Sequence, residues 1–439
     1  MENRCPYKPL VERNLENVLV EHLARRFDFG KDSRVARLLV CEILERLEHV
    51  EQQAGLVRVK PFELFLKYKG KPLLLPLLRH DYLEPLSKGA PFPAARRLVE
   101  ARCMKELIAI NPEANRQELL RLINPRLLVA RRGPTRMTDT LAHEVRPLEE
   151  GRNEALRKLM DAIRVRPRHE SLCTLDAYGH EPTLKALSEF VNREVGLGKA
   201  VSSRLVEEVV GIRNLFCPLF HQLRSGQMPL VATHVRAHLS QEVATRYRRH
   251  APVIITVLTS QEMARFGDRR LTPDQLTEIF KERVVRVTVE AYRQNGLLTL
   301  MDMQWIFQVS SARLSEIVRS IHREAHLLLP TPGTVLDAGR SLTHKEVVIY
   351  LYLQGYSVME IAKMTYHSPR AVDNYIGTFD AVLILYLYGL PTPMMAFVLK
   401  RGEVLIREHL DLAKQFLKDR KEIIEHLKQK GMKISSVIS

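Results

Sequence analysis

The apolar positions of this chain recur mostly at helical spacing. Over residues 11–54 they fall at helical spacing, as at Val35, Leu38, Leu39, Ile43 and Leu47, and the spacing predicts helix. Residues 62–78, FELFLKYKGKPLLLPLL, break that rhythm. A β-prone run, a Lys-Gly-Lys-Pro turn and a second apolar run predict a hairpin there. Helix is predicted again over 94–123 and over most of 150–225, with a break at the glycines near 196–198. MPLVATHV (228–235) and APVIITVLTS (251–260) are β-branched and apolar and read as strands. NPRLLVARRGPTRM (124–137) is basic, is broken by proline and glycine, and reads as a linker. From about residue 272 the helical pattern runs almost to the end. The pattern predicts a mainly α chain with a smaller α/β N-terminal part: an α/β region at 1–130, a mixed α/β region at 140–270, and helices beyond.

The helical half repeats itself. IYLYLQGYSVMEIAKM (349–364) aligns with LILYLYGLPTPMMAFV (383–398) at a constant offset, with Leu351, Tyr352, Leu353, Gly355 and Ala362 recurring as Leu385, Tyr386, Leu387, Gly389 and Ala396. TLMDMQWIFQVSSARLSEIV (299–318) matches SVMEIAKMTYHSPRAVDNYI (357–376) in pattern, from Asp302/Glu360 through Ser310/Ser368 to Val318/Ile376. Each copy reads as a first helix ending at glycine (Gly296, Gly355, Gly389), a short second helix, a tight turn and a third helix. TPDQ (272–275) and THKE (343–346) carry capping-box spacing, and Ser368-Pro369 suits the start of a helix. Helices of two or three turns are marginal alone in water, so a third helix must support them. Ala362 would let the two short helices approach, with Ile361, Val372, Ile376, Val347, Val348 and Leu351 beneath. The expected organisation is a set of tandem tri-helical helix-turn-helix units in the C-terminal half: a first at 272–330, a second at 341–380, a third, degenerate one at 381–420, and a tail at 421–439. The stretch 406–430 is amphipathic, with Leu410, Phe416, Leu417, Ile424 and Leu427 on one face, suited to packing on the bundle or to pairing with a second copy.

The middle copy, residues 341–380, resembles the helix-turn-helix of sigma factors and of response-regulator effector domains. Over its length the chain resembles an uncharacterised prokaryotic family of unknown function. The matching stretches are LARRFDFGKDSRVARLLVCEI, NPRLLVARRGP, and the run from GLLTLMDMQWIFQVSSARLSEIVRSIHRE to SLTHKEVVIYLYLQGYSVMEIAKMTYHSPRAVDNYI. The resemblance implies tandem helix-turn-helix units on a larger N-terminal region and implies no known activity. The first copy departs from the motif at Gln304 and Gln308. The third departs more, with Lys400-Arg401-Gly402-Glu403 at its turn and Glu403 and Glu408 on its last helix, which suits a structural or dimerising role better than a reading one.

Charge and chemistry narrow the function. The net charge is +16 over 439 residues, which favours a polyanionic partner. A reading helix meets base edges with its first turns and phosphates with its flanks. That selects Ser310, Ser311, Arg313, Ser315 and Arg319 in the first copy, and Ser368, Arg370, Asn374 and Thr378 in the second, as candidate contacts to double-stranded DNA. Arginine pairs in two-pronged fashion with guanine and asparagine with adenine. Residues 291–380 carry eight Lys/Arg against eight Asp/Glu, so the phosphate grip is expected from a locally basic face or from elsewhere: Arg121, Arg126, Arg131, Arg132 and Arg136, or Arg246, Arg248 and Arg249 in RYRRH. The five cysteines are widely spaced, which excludes a CxxC zinc or redox motif. The N-terminal stretch lacks the apolar core of a signal peptide, and no apolar run is long enough to span a bilayer, so the expected location is cytoplasmic and nucleoid-associated, away from membranes. The pairs His22/Arg25, His143/Arg146 and His221/Arg224 have recombinase-like H-x-x-R spacing without a matching tyrosine motif, and His234/His238 lacks a third ligand. No phosphate-binding glycine loop is present. The expectation is a non-catalytic transcriptional regulator without cofactor or metal, able to pair with itself through its C-terminal helices. A mobile-element recombination or transposition protein and a protein-interaction scaffold stay open beside it.

Overall fold

The computed structural model describes residues 10, 13–27, 33–124, 181–235, 237, 250–266, 271–325, 328–336, 342–417 and 419–431. The chain divides into two compact units, residues 1–315 and 316–439. It is mainly helical, and the strands among the described residues all lie in the first unit.

In the first unit, α1 (Leu15–Arg26), α2 (Ser33–Gln53), α6 (Glu181–Val195) and α7 (Lys199–Phe216) bury one apolar stripe each around Leu19, Leu23, Ile43, Leu47, Val191 and Val209. The periodicity over 11–54 thus belongs to two helices, the first capped by Asn14, whose side chain accepts from Asn17 N at 2.8 Å. The expected hairpin is β1 (Glu63–Tyr68) and β2 (Lys71–Pro76), paired antiparallel from Glu63↔Pro76 to Tyr68↔Lys71. Its turn is two residues, Lys69 and Gly70, both left-handed, which matches the twist of the strands. After α3 (Glu84–Ser87) the helical stretch over 94–123 forms α4 (Phe92–Ile110) and α5 (Arg116–Ile123), the second started by an Asn115 cap.

β3 (Gln227–His234) and β4 (His250–Thr256) are the strands read from their β-branched runs, and a two-residue β5 (Gly296–Leu297) completes an antiparallel sheet of order β4-β3-β5. The hairpin joins this core: Phe62 N donates to Pro229 O at 3.0 Å and Gly226 N to Phe65 O at 2.7 Å. The regions at 1–130 and 140–270 therefore share one unit. After α8 (Ser260–Phe266), α9 (Pro273–Arg293) runs along the open edge of β4. Arg286, Glu290 and Gln294, four apart on one helix face, supply the partners a further strand would have given. Ile254 N donates to Gln294 Oε1 at 2.9 Å, Gln294 Nε2 to Ile254 O at 2.7 Å, Thr256 N to Glu290 at 2.5 Å, and Arg286 Nε to Thr256 O at 2.9 Å. An exposed strand edge is a template for unwanted pairing, and these side chains close it.

β5 corrects one expectation. Gly296 is not a left-handed helix stop; Asn295 takes that conformation, with φ 62°. Gly296 lies in the strand opposite His234, where a Cβ would come within 2.4 Å of Val253 Cγ1 and 2.8 Å of Ala232 Cβ. Close strand approach, not chain reversal, requires the glycine.

Beyond it come α10 (Leu300–Phe307), α11 (Ser311–Ala325) and α12 (Pro332–Val335), then α13 (Leu342–Leu353), α14 (Val358–Thr365), α15 (Pro369–Leu387), α16 (Thr392–Leu399), α17 (Glu403–Phe416) and α18 (Arg420–Gln429). The division between the units falls within α11. In the second unit α13, α14 and α15 enclose Val347, Val348, Leu351, Ile361, Val372 and Ile376, the core read from the sequence, with Ala362 buried at the crossing. Two expectations change here. Helix α13 begins at Leu342, so Thr343 lies inside it rather than capping it. The stretch 406–430 is not one helix: the chain restarts at Asp419, whose side chain accepts from Glu422 N at 2.9 Å.

Candidate nucleic-acid interface

The repeat seen in the sequence has a common local geometry. Helices α10, α14 and α16 are each eight residues long. Each ends on a non-glycine residue in the left-handed conformation: Gln308 (φ 53°), Tyr366 (φ 61°) and Lys400 (φ 51°). In each case two more residues follow before the next helix, at Ser311, Pro369 and Glu403. The beginnings of α10 and α14 agree as well, whereas Pro391 gives α16 no side-chain cap. Thr299 and Asp302 form a capping box before α10, with Asp302 N donating to Thr299 Oγ1 at 3.1 Å and Thr299 N to Asp302 Oδ2 at 2.7 Å. Ser357 and Glu360 repeat it before α14, at 3.3 and 2.8 Å. The offset between the second and third copies carries α13 and α14 onto α15 and α16, so the nineteen-residue α15 closes the second copy and opens the third.

The sequence-selected residues fall at the leading ends of α11 and α15. On α15, Ser368, Arg370 and Asn374 are exposed, while Val372, Ile376 and Phe379 are buried on the opposite side. Ser368 Oγ accepts from Ala371 N at 3.1 Å, so the hydroxyl serves as a helix cap, and the exposed turn leaves further backbone N–H groups at that end. Thr378 is half-buried and its hydroxyl donates to Asn374 O at 2.7 Å, which turns it toward its own helix. On α11, Ser310 and Ser311 are exposed, Arg313 and Ser315 are half-buried, and Arg319 is exposed. Ser310 Oγ accepts from Arg313 N at 3.4 Å. Lys363, on the last turn of α14, is exposed beside the turn that leads into α15. Arg121 is half-buried on α5. Arg126, Arg131, Arg132, Arg136, Arg246, Arg248 and Arg249 lie outside the described residues, as does His238.

The carboxylates that made residues 291–380 neutral are partly drawn inward. Asp302 is buried against Arg13. Asp380 is buried on the inner side of α15, where Tyr352 donates its hydroxyl at 2.6 Å and His426 Nε2 its proton at 3.3 Å. Burial, and then this bond, push the Tyr352 hydroxyl pKa up. The Tyr352–Asp380–His426 network ties α18 to α13 and α15, and the sequence reading missed it because an aspartate on a helix looks like a solvated position. Its one visible signal was the tyrosine that recurs in the repeat.

The third copy is built differently. Glu403 pairs with Arg407 at 3.1 Å and Glu408 with Lys345 at 2.5 Å, and α17 packs on α13 and α15. Gly402, where the other copies have a serine, gives no side-chain cap.

The first copy is embedded more deeply. Asp302, Met303, Gln304, Trp305, Ile306 and Phe307 of α10 are all buried. Gln308 Nε2 donates to Leu77 O at 3.1 Å and Trp305 O at 2.6 Å, and Asn124 Nδ2 donates to Phe307 O at 2.7 Å.

A family model described as "Protein of unknown function (DUF1670)" matches residues 191–412 of the chain. The chain belongs to this family. The DUF1670 match takes in the β4-β3-β5 sheet and helices α10, α14 and α16. Neither a curated protein nor a solved structure gives a match.

Among the described residues no group of three or more His, Cys, Asp or Glu side chains could hold a metal ion. Cys103 and Cys217 are buried free thiols, and burial pushes Cys217 up to about 12. Cys41 is half-buried, and Cys5 and Cys173 lie outside the described residues. No described helix is long and apolar enough to cross a membrane.

Proposed function

We propose that the chain is a DNA-binding protein acting in transcriptional regulation, and that the α14–α15 segment reads the major groove as a helix-turn-helix. The observation that carries this reading is the leading end of α15: Ser368, Arg370 and Asn374 exposed at the start of a long helix whose other side is anchored on Val372, Ile376 and Phe379. Arg370 has the donor geometry for guanine and Asn374 for adenine. Ser368 and the first-turn N–H groups suit a phosphate. Helix α11 adds the half-buried Arg313 in its first turn and the exposed Arg319 further along to this reading. The proposed mode of action is binding without catalysis, in a nucleoid-associated protein.

Arg370→Ala and Arg313→Ala test the reading. Each should weaken binding to a selected duplex by about 1–3 kcal/mol and relax preference at one base position, with the fold intact by circular dichroism. Wild-type affinity in both variants would refute it.

A second feature favours pairing of two copies through the third segment. Phe397 and Val404 are 81% and 67% exposed, and Met394, Val398 and Tyr388 are exposed near them in sequence. Lys400 and Arg401 stand between Phe397 and Glu403, so charges of both signs flank the apolar residues, which suits a surface that meets itself across a twofold axis.

A further inference from the structure

The first unit holds a cavity of about 520 Å³, bounded by the start of α1, α2, the segment leading into β1, the segment after β2 and the end of α7. That volume lies in the range of small-molecule sites, roughly 300–1,000 Å³. Leu15, Leu44, Phe62 and Leu78 give the cavity an apolar wall. Its charged lining holds Arg13, Arg58, Lys60, Arg79 and Arg213 with Glu16, Glu48 and Glu63; Arg13 pairs with Asp302, Lys60 with Glu48 and Arg79 with Asp81, which leaves Arg58 and Arg213, sharing Glu51, as the surplus positive charge. Two of those carboxylates are already engaged, Glu16 by Arg37 at 2.9 Å and Glu48 by Lys60 at 3.4 Å. Burial pushes the third, Glu63, up from the usual carboxylate range.

The inner end of the cavity is the informative part. Arg58 and Arg213 are 6% and 3% exposed and close on the same carboxylate, with Arg58 Nε on Glu51 Oε1 and Arg213 Nη2 on Glu51 Oε2, both at 2.8 Å. Arg58 also donates to Cys217 O at 2.5 Å and Asn214 Oδ1 at 2.8 Å. Arg213 Nη1 is buried and has no hydrogen-bond partner. A buried donor left without an acceptor is destabilising, the more so on a charged group. Two guanidiniums in the cavity wall against one carboxylate leave a positive charge that an oxyanion in the cavity offsets.

We propose that this cavity binds a small organic anion, with its carboxylate or phosphate against Arg213 and its apolar body against Leu15, Leu44, Phe62 and Leu78. The proposal is independent of DNA binding. Calorimetric titration of the full chain with phenyl phosphate, benzoate, phenol and inorganic phosphate tests it. One of the two aromatic anions should bind at one site per chain, at least tenfold tighter than phenol and than inorganic phosphate, and which of the two binds tells phosphate from carboxylate. Arg213→Gln should weaken that binding at least tenfold. Arg79→Ala, at a residue whose side chain is about half exposed, should weaken it severalfold, and it decides the matter if Arg213→Gln does not fold. The proposal is overturned if neither aromatic anion binds better than phenol, if inorganic phosphate binds as tightly, or if the folded variants bind like the wild type.

Discussion

His409 lies buried on α17 beside the Phe379 ring. Burial, and then the charge of Lys345, hold its pKa down to about 4, against a weaker upward pull from Glu408. In an unfolded chain a histidine takes up its proton near pH 6.5. Between those values the unfolded state binds more protons, so the contribution is fully present above about pH 6.5 and is lost as pH falls toward 4. The wild type should lose about 2 kcal/mol more than His409→Leu between pH 7 and pH 5, read from urea unfolding at each pH. His409 Nδ1 has no hydrogen-bond partner, so leucine forfeits no bond there. Equal losses in the two proteins would show that the imidazole is not held neutral. None of this was legible beforehand, because a histidine's burial depends on what packs over it. The exposure of Arg370 and Asn374 was legible, since helical spacing alone puts them opposite Val372 and Ile376.

The short helices were the most readable elements. Their apolar spacing and their repeat offsets are local signals, and α10, α14 and α16 carry them at matching positions. What joins them was not readable. The pairing of β5 with β3 involves residues 296–297 and 233–234, and no local pattern announces a two-residue strand. The docking of α18 depends on Asp380 in the same way. Truncating this carboxylate leaves the Tyr352 hydroxyl and the His426 ring buried without their shared acceptor. Asp380→Ala should therefore cost about 2–4 kcal/mol and raise amide exchange throughout α18. Tyr352→Phe, which removes only one donor, should cost about 1 kcal/mol. Exchange in α18 unchanged by Asp380→Ala would mean that Ile423 and Leu427 alone hold the helix.

Composition showed that the molecule is basic but not where the charge acts. The count over 291–380 was neutral, yet Asp302 and Asp380 are buried, so the surface of this stretch is less acidic than the count suggests, although Asp373 stays exposed beside Asn374. The third segment raises a separate question, since its exposed apolar residues sit beside the exposed Lys400 and Arg401. If they seat a second copy, sedimentation should show a dimer that Phe397→Glu converts to a monomer, and the protected duplex should shrink to one half-site. A wild type that stays monomeric at high concentration would remove the pairing and leave the proposed role of α15 untouched.

The most direct test of the account is selection from random-sequence duplexes at two salt concentrations, with the wild type and the Arg313→Ala/Arg370→Ala double variant. The account predicts a defined sequence recovered by the wild type, affinity that falls steeply with salt, and loss of that sequence in the double variant while weak, salt-sensitive binding persists. Recovery of the same sequence without either arginine would contradict it, and so would no enrichment by the wild type at either salt.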